Sequence, residues 1–178
     1  AMDVIYTLRF RENEGRSEIR KIGPFYEPIH FTRAFVVDGA GEHEASVTSV
    51  GDGYYRVDFG GLATQAGSIY AVALHYRNDY RFADLTNGQG KELVAVWFNP
   101  VRWVLPIQKS VLKLVLPLAL PETVKRHEDI TPKMVDDLGV ITDTENLPTH
   151  DKWAYVYTDY RDQRRLTIYT EKNSLARE

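Results

Sequence analysis

The chain has 178 residues, 43% of them hydrophobic and 26% charged, which suits a globular protein large enough to bury a core. Its formal net charge is -3 and its 22 basic residues are scattered, so no cationic footprint for nucleic acid is present. The absence of cysteine excludes disulfides, thiolate nucleophiles and cysteine metal sites, and no apolar run reaches the roughly 20 residues that span a bilayer.

The start lacks the apolar core of a signal peptide. Ala1-Met2 reads as a cloning remnant, so the chain is expected to be a piece of a longer protein. From Asp3 to Arg11 the residues alternate, with Val4, Tyr6, Leu8 and Phe10 on one face, which predicts a half-buried strand. Asn13-Glu14-Gly15 is a turn and Ser17–Ile22 a short second strand. Gly23-Pro24 and Glu27-Pro28 then break the chain, because each proline removes a ladder donor, and Pro24-Phe25-Tyr26 is expected to be loop or edge. Thr32–Val37, Glu44–Val50 and Tyr54–Phe59 read as strands separated by Asp38-Gly39-Ala40-Gly41 and Gly51-Asp52-Gly53. A longer strand covers Ser68–Arg77, with Tyr70, Val72, Leu74 and Tyr76 on one face.

Asn78–Gly90 is polar and is expected to be a loop. Leu93–Phe98 is apolar on both faces, which predicts a strand inside the domain with Trp97 buried. Asn99-Pro100, Arg102-Trp103 and Leu105-Pro106 form a proline-bounded crossing biased away from helix. Gln108–Leu116 is a second strong strand, expected to stop at Pro117. The stretch 119–151 is a long polar connection holding one short helix near 132–138: threonine at the N-cap, proline at the first helical position and Gly139 past the end. Trp153–Thr158 and Arg165–Thr170 close the strand set, and Glu171–Glu178 is expected to fray. Short strands with turns about every ten residues predict an all-β fold: a single domain over 1–178, an immunoglobulin-like β-sandwich of two antiparallel sheets with one short helix in a long connection.

No catalytic, cofactor or metal site emerges. The five histidines, His30, His43, His75, His127 and His150, have no helical pair spacing, and on a strand His75 has Ala73 and Arg77 as its same-face neighbours. Glu42-His43-Glu44 and His127-Glu128-Asp129 place carboxylates beside histidine, but adjacent strand side chains point to opposite faces. Asp136, Asp137, Asp143 and Glu145 lack the calcium-loop spacing, and no serine sits in a nucleophile elbow. Aromatic residues are the notable excess, with 11 tyrosines. Most fit strand cores, while Tyr54, Tyr55, Tyr80, Phe82, Trp103, Tyr155, Tyr157 and Tyr160 could expose rings that stack on a sugar or anchor a protein interface, with Tyr54, Tyr80, Trp103 and Tyr160 the candidate contacts.

The segment 68–117 resembles the DUF2207 type, predicted bacterial and archaeal membrane proteins that carry an extracytoplasmic N-terminal β-sandwich. The likeness rests on the tyrosine-bearing strand Ile69–Tyr76, the strand Leu93–Phe98, Trp103, Pro106-Ile107, and Val111–Leu116 followed by Pro117, with Leu166-Thr167-Ile168 similar to the closing segment. It implies an exported, membrane-tethered domain and supplies no catalytic residue; 119–151 has no counterpart in it. Three readings follow. The first is a non-enzymatic extracytoplasmic interaction or assembly domain of a membrane-anchored protein, with a protein partner or cell-surface component. The second is a carbohydrate-binding module using exposed aromatics, and the third an enzyme or metal protein whose site is assembled from distant His, Asp and Glu.

Overall fold

The computed structural model describes residues 1–88, 90–98, 101, 106–141 and 149–175. The chain divides into two compact units, Ala1–Arg102 and Trp103–Glu178. The described residues are mostly β-strand with short helical turns, and every described strand pair is antiparallel.

A sandwich forms from β1 (Met2–Arg11), β2 (Glu18–Ile22), β3 (Ile29–Val37), β4 (Glu42–Glu44), β5 (Ser46–Gly51), β6 (Tyr54–Asp58) and β7 (Ile69–Asn78). One sheet runs β1-β7-β3-β4 and the other β2-β6-β5. This is the four-plus-three strand count of the immunoglobulin-like class. The alternation read in the sequence sets which face is inside: Tyr70, Val72, Leu74 and Tyr76 of β7 are buried together with Val36 of β3, Val57 of β6 and Phe59. The stretch Glu44–Val50, expected as one strand, is divided at Ala45, whose N–H donates to Ala34 O at 3.0 Å. β4 before it pairs in the first sheet and β5 after it in the second, so this point carries the chain across the sandwich.

The loop between β2 and β3 contributes to the core. Its Gly23-Pro24 and Glu27-Pro28 peptide bonds are cis. Phe25 is 7% exposed and sets its ring edge-to-face against Tyr6, Phe31, Tyr55 and Tyr76, at centroid distances of 6.3, 5.9, 5.7 and 5.5 Å. The Phe25 N–H donates to Gly53 O at 2.8 Å. Gly53 has φ +73, and a Cβ there would lie 2.7 Å from Phe25 O, so both the turn and the close approach require glycine. A second buried tie is Glu12, whose carboxylate accepts from Arg16 at 2.7 Å and from the Thr64 hydroxyl at 2.9 Å. Burial works to raise its pKa, but these hydrogen bonds outweigh it and hold the carboxyl below the ordinary range.

Beyond β7 two expectations fail. The polar stretch Asn78–Gly90 contains a strand, β8 (Ala83–Gly88), which pairs with β9 (Lys91–Val96) as a two-stranded ribbon. β8 lacks apolar alternation because it faces no sheet layer that would require it. Leu93–Phe98 is not an interior strand: Val94, Val96 and Trp97 are 62, 44 and 36% exposed. Apolar residues on both faces signal burial only where a layer covers each face, and this ribbon has one partner strand. The crossing at 99–106 falls almost wholly outside the described residues.

The second unit has β10 (Ile107–Ala119), β11 (Lys152–Tyr160) and β12 (Gln163–Leu175) in the order β10-β12-β11. Pro117, expected to end a strand, lies inside β10. A register irregularity between Val115 and Ala119 accommodates its missing donor. On one face Leu116, Leu118, Tyr155 and Tyr157 pack around buried Leu120, Val124, Val135 and Leu166. Val135 comes from α1 (Pro132–Asp137), capped as its sequence foretells: the Thr131 hydroxyl accepts from Met134 N at 3.2 Å, Pro132 is at the first turn, and Gly139 has φ +73. The segment ahead of it is tied down by the Arg164 guanidinium donating to Val124 O and by Asp129, which accepts from Lys125 N and Arg126 N at 2.8 Å.

The expected fraying from Glu171 fails as far as Leu175, and 176–178 lie outside the described residues. β12 continues to Leu175, and Glu171 is only 5% exposed. Its carboxylate accepts from the Tyr169 hydroxyl at 2.6 Å, pairs with Lys109 at 2.9 Å and faces Lys152 at 3.8 Å. The tyrosine hydrogen bond first, then the lysines, pull its pKa down to about 2.

Candidate functional site

Of the candidate rings, Tyr54 and Tyr80 lie in different segments of the first unit and Tyr160 belongs to the second. Tyr80 follows β7 and joins a cluster described below. Tyr54 begins β6 and carries the Lys21 ammonium 3.9 Å from its ring centroid. Tyr160 ends β11 beside a turn in which Arg161 and Asp162 have φ of 49° and 59°, with the Arg161 guanidinium 5.1 Å from its ring. Trp103 lies outside the described residues.

The cluster around Tyr80 is built on one buried ring. Phe82 is 5% exposed and meets Tyr80 at 5.1 Å, Phe98 at 5.6 Å, Tyr26 at 5.9 Å and Trp97 at 6.4 Å between centroids. Tyr26 and Tyr80 also touch each other, at 4.9 Å. Over this hub Tyr26, Tyr80 and Trp97 remain 39, 37 and 36% exposed. Buried Asn78 fixes two of the three. Its amide donates to Tyr26 O and its carbonyl accepts from Tyr80 N, each at 2.7 Å. Asp79 N adds a bond to Pro28 O at 3.0 Å, and Trp97 N donates to Phe82 O at 3.0 Å. The nearby chain carries charged pairs, Arg77 with Asp79 at 3.1 Å and Arg81 with Asp84 at 2.7 Å. Aromatic anchors fixed by a buried amide, with charged pairs alongside, have the anatomy of a binding surface.

Sequence reasoning reached Tyr80 and read Phe82 and Tyr55 as rings that could be exposed, whereas they are 5 and 8% exposed; it missed Tyr26, Trp97 and Phe98 as members of this cluster. The available signal was the aromatic repeat Tyr80-x-Phe82 beside a loop, Phe25-Tyr26, that two prolines hold out of the sheets. Which rings meet depends on the Asn78 contact to Tyr26, across 52 positions.

The chemical candidates stay dispersed. His43 Nε2 lies 3.1 Å from Asp38 and His30 Nε2 3.7 Å from Asp79, while the His75 ring meets Phe35 and the His127 ring meets Tyr157. Among the described residues no three of His, Asp and Glu converge to hold a metal ion. Among the described residues, one cavity of 310 Å³ is lined by Asp38, Leu62, Gln65, Ser68 and Tyr70, and another of 530 Å³ by Leu120, Pro121, Lys133, Met134 and Leu138. No histidine is among the described residues that line either cavity. The Tyr55 phenol, buried and donating to Glu27 at 2.9 Å, is pushed up to about 12 and stays protonated as a core residue.

No helix among the described residues is long and apolar enough to cross a membrane. No protein-family model matches the chain, and no curated protein or solved structure matches it.

Proposed function

We propose that this protein is a non-enzymatic interaction domain that docks a protein partner through the surface of Tyr26, Tyr80 and Trp97. The observation that carries this reading is the exposure of three rings over one buried hub, Phe82. Such amphipathic rings contribute large contact area with few side-chain rotations to freeze. Their mutual tilts favour a protein over a sugar. Tyr26 and Tyr80 are inclined by 42°, and Trp97 stands at 73° to Phe82, so the rings offer ridges rather than one plane for a pyranose face. The resemblance of 68–117 to the DUF2207 type supports an extracytoplasmic, membrane-tethered setting, with a cell-surface component as partner.

Two experiments test this. Titration with polysaccharides followed by tryptophan fluorescence is expected to leave the emission unchanged at millimolar sugar; a saturable shift would replace the protein-docking reading with the carbohydrate one. The full-length gene is expected to encode a signal or membrane-spanning segment beside this domain, and a gene with neither on either side removes the tethered setting.

A further inference from the structure

We infer that the free edge of β10 is a docking site for an extended acidic segment of a protein partner, added as a fourth strand to the β10-β12-β11 sheet. Among the described residues β10 pairs only with β12, so its other edge presents backbone donors and acceptors. The helix layer packs on the sheet face of Leu116 and Leu118. The opposite face of β10 carries Lys109, Val111, Lys113 and Val115 in alternation, and Val111 and Val115 are 46 and 38% exposed.

The charge on that face selects the occupant. The registers place Lys152 and Glu171 in one row with Val111, Tyr169 with Lys113, and Thr167 with Val115; Arg165 continues the same side of β12. Among the described residues of these three strands, the cations Lys109, Lys113, Lys152 and Arg165 on this face thus stand against the single carboxylate of Glu171, in a chain whose net charge is -3. Glu171 is buried beneath Lys109 and Lys152, while the Lys109 side chain is 53% and that of Lys152 70% exposed, so the ammoniums form the outer surface. A second copy of this chain paired antiparallel about Val111, the register that sets valine against valine, would place Lys109 of one copy against Lys113 of the other, and like charges directly opposite are unfavourable. A segment with carboxylates at every fourth position and apolar residues midway between them meets lysine with carboxylate and valine with valine. Backbone pairing supplies affinity in this mode and the alternate side chains supply choice. This surface uses none of the residues of the aromatic patch, so either proposal can fail without the other.

The test uses two synthetic peptides that alternate glutamate and valine on one face and threonine on the other, the second with lysine in place of glutamate. The acidic peptide is expected to bind at least about tenfold more tightly, to slow exchange of every second β10 amide, and to weaken as salt rises. Lys113→Glu, at an exposed position, is expected to reverse the preference between the peptides, and Lys113→Gln to reduce it, with both variants folded by circular dichroism. Absence of binding, equal binding of the two peptides, protection that maps off β10, or a preference unchanged by Lys113→Glu would each overturn the inference.

Discussion

Replacing Phe25 tests how the loop between β2 and β3 is held. The ring is 7% exposed and meets four other rings, on β1, β3, β6 and β7, so it joins both sheets of the sandwich. Phe25→Ala removes the buried ring and leaves a cavity whose walls belong to two sheets and close only in part, which costs about 4 kcal/mol. Phe25→Leu keeps most of the apolar volume and loses the edge-to-face contacts. Each such pair contributes about 1 kcal/mol beyond its area, but four pairs sharing one ring are not additive, so about 2 kcal/mol is expected. Urea unfolding followed by circular dichroism measures both. With a slope of about 2 kcal/mol per molar, the midpoint falls by about 2 M for alanine and about 1 M for leucine. A loss below about 1 kcal/mol for Phe25→Ala would refute the role of the loop as a core plug. A leucine variant as stable as the parent would show that the ring edges contribute nothing beyond bulk.

Three further outcomes are expected. Asn78→Ala leaves Tyr26 O and Tyr80 N without their partner in a buried site and costs about 2 kcal/mol by urea unfolding; a change below about 0.5 kcal/mol would show that water replaces the amide. Glu12 and Glu171 have folded pKa values below their ordinary ones, so the unfolded chain binds more protons in acid. Their contribution is complete above the ordinary glutamate value of 4.5 and, for Glu171, is lost as pH falls toward about 2. Glu171→Gln is therefore expected to flatten the acid limb of a stability-against-pH curve, and an unchanged limb would contradict the Lys109–Glu171–Tyr169 network. Val94→Thr, at a position 62% exposed, is expected to change stability by less than about 0.5 kcal/mol; a loss of about 2 kcal/mol would restore the interior-strand reading of this segment.

The sandwich was legible because its strands alternate. Val4 to Phe10, Tyr55 to Phe59 and Tyr70 to Tyr76 each place one face inward, and a period of two admits one assignment of faces. The helix was legible from Thr131, Pro132 and Gly139, residues that act locally. The failures share a cause of the opposite kind. Whether Leu93–Phe98 is covered, whether Glu171 is buried and whether Pro117 interrupts a ladder all depend on a partner strand or layer distant in the chain. The division at Ala45 was hidden for the same reason, since β4 and β5 differ in pairing and not in composition. At the candidate site Tyr80 was reachable as an aromatic in a polar stretch. The clamp Asn78 was not, nor was the burial of Phe82, which the sequence offers as a ring that could be exposed, because a polar residue and a phenylalanine beside a turn carry no mark of a contact to Tyr26.

The most direct test of the docking surface is photo-crosslinking from single positions in the native host. A benzophenone side chain replaces Tyr80 in one variant, Tyr54 in a second and Tyr160 in a third, all on the folded full chain. The account predicts one discrete protein adduct from position 80, lost when Trp97→Ser and Tyr26→Ser are combined with it and absent from positions 54 and 160. No adduct from position 80, or the same adducts from all three positions, would contradict it.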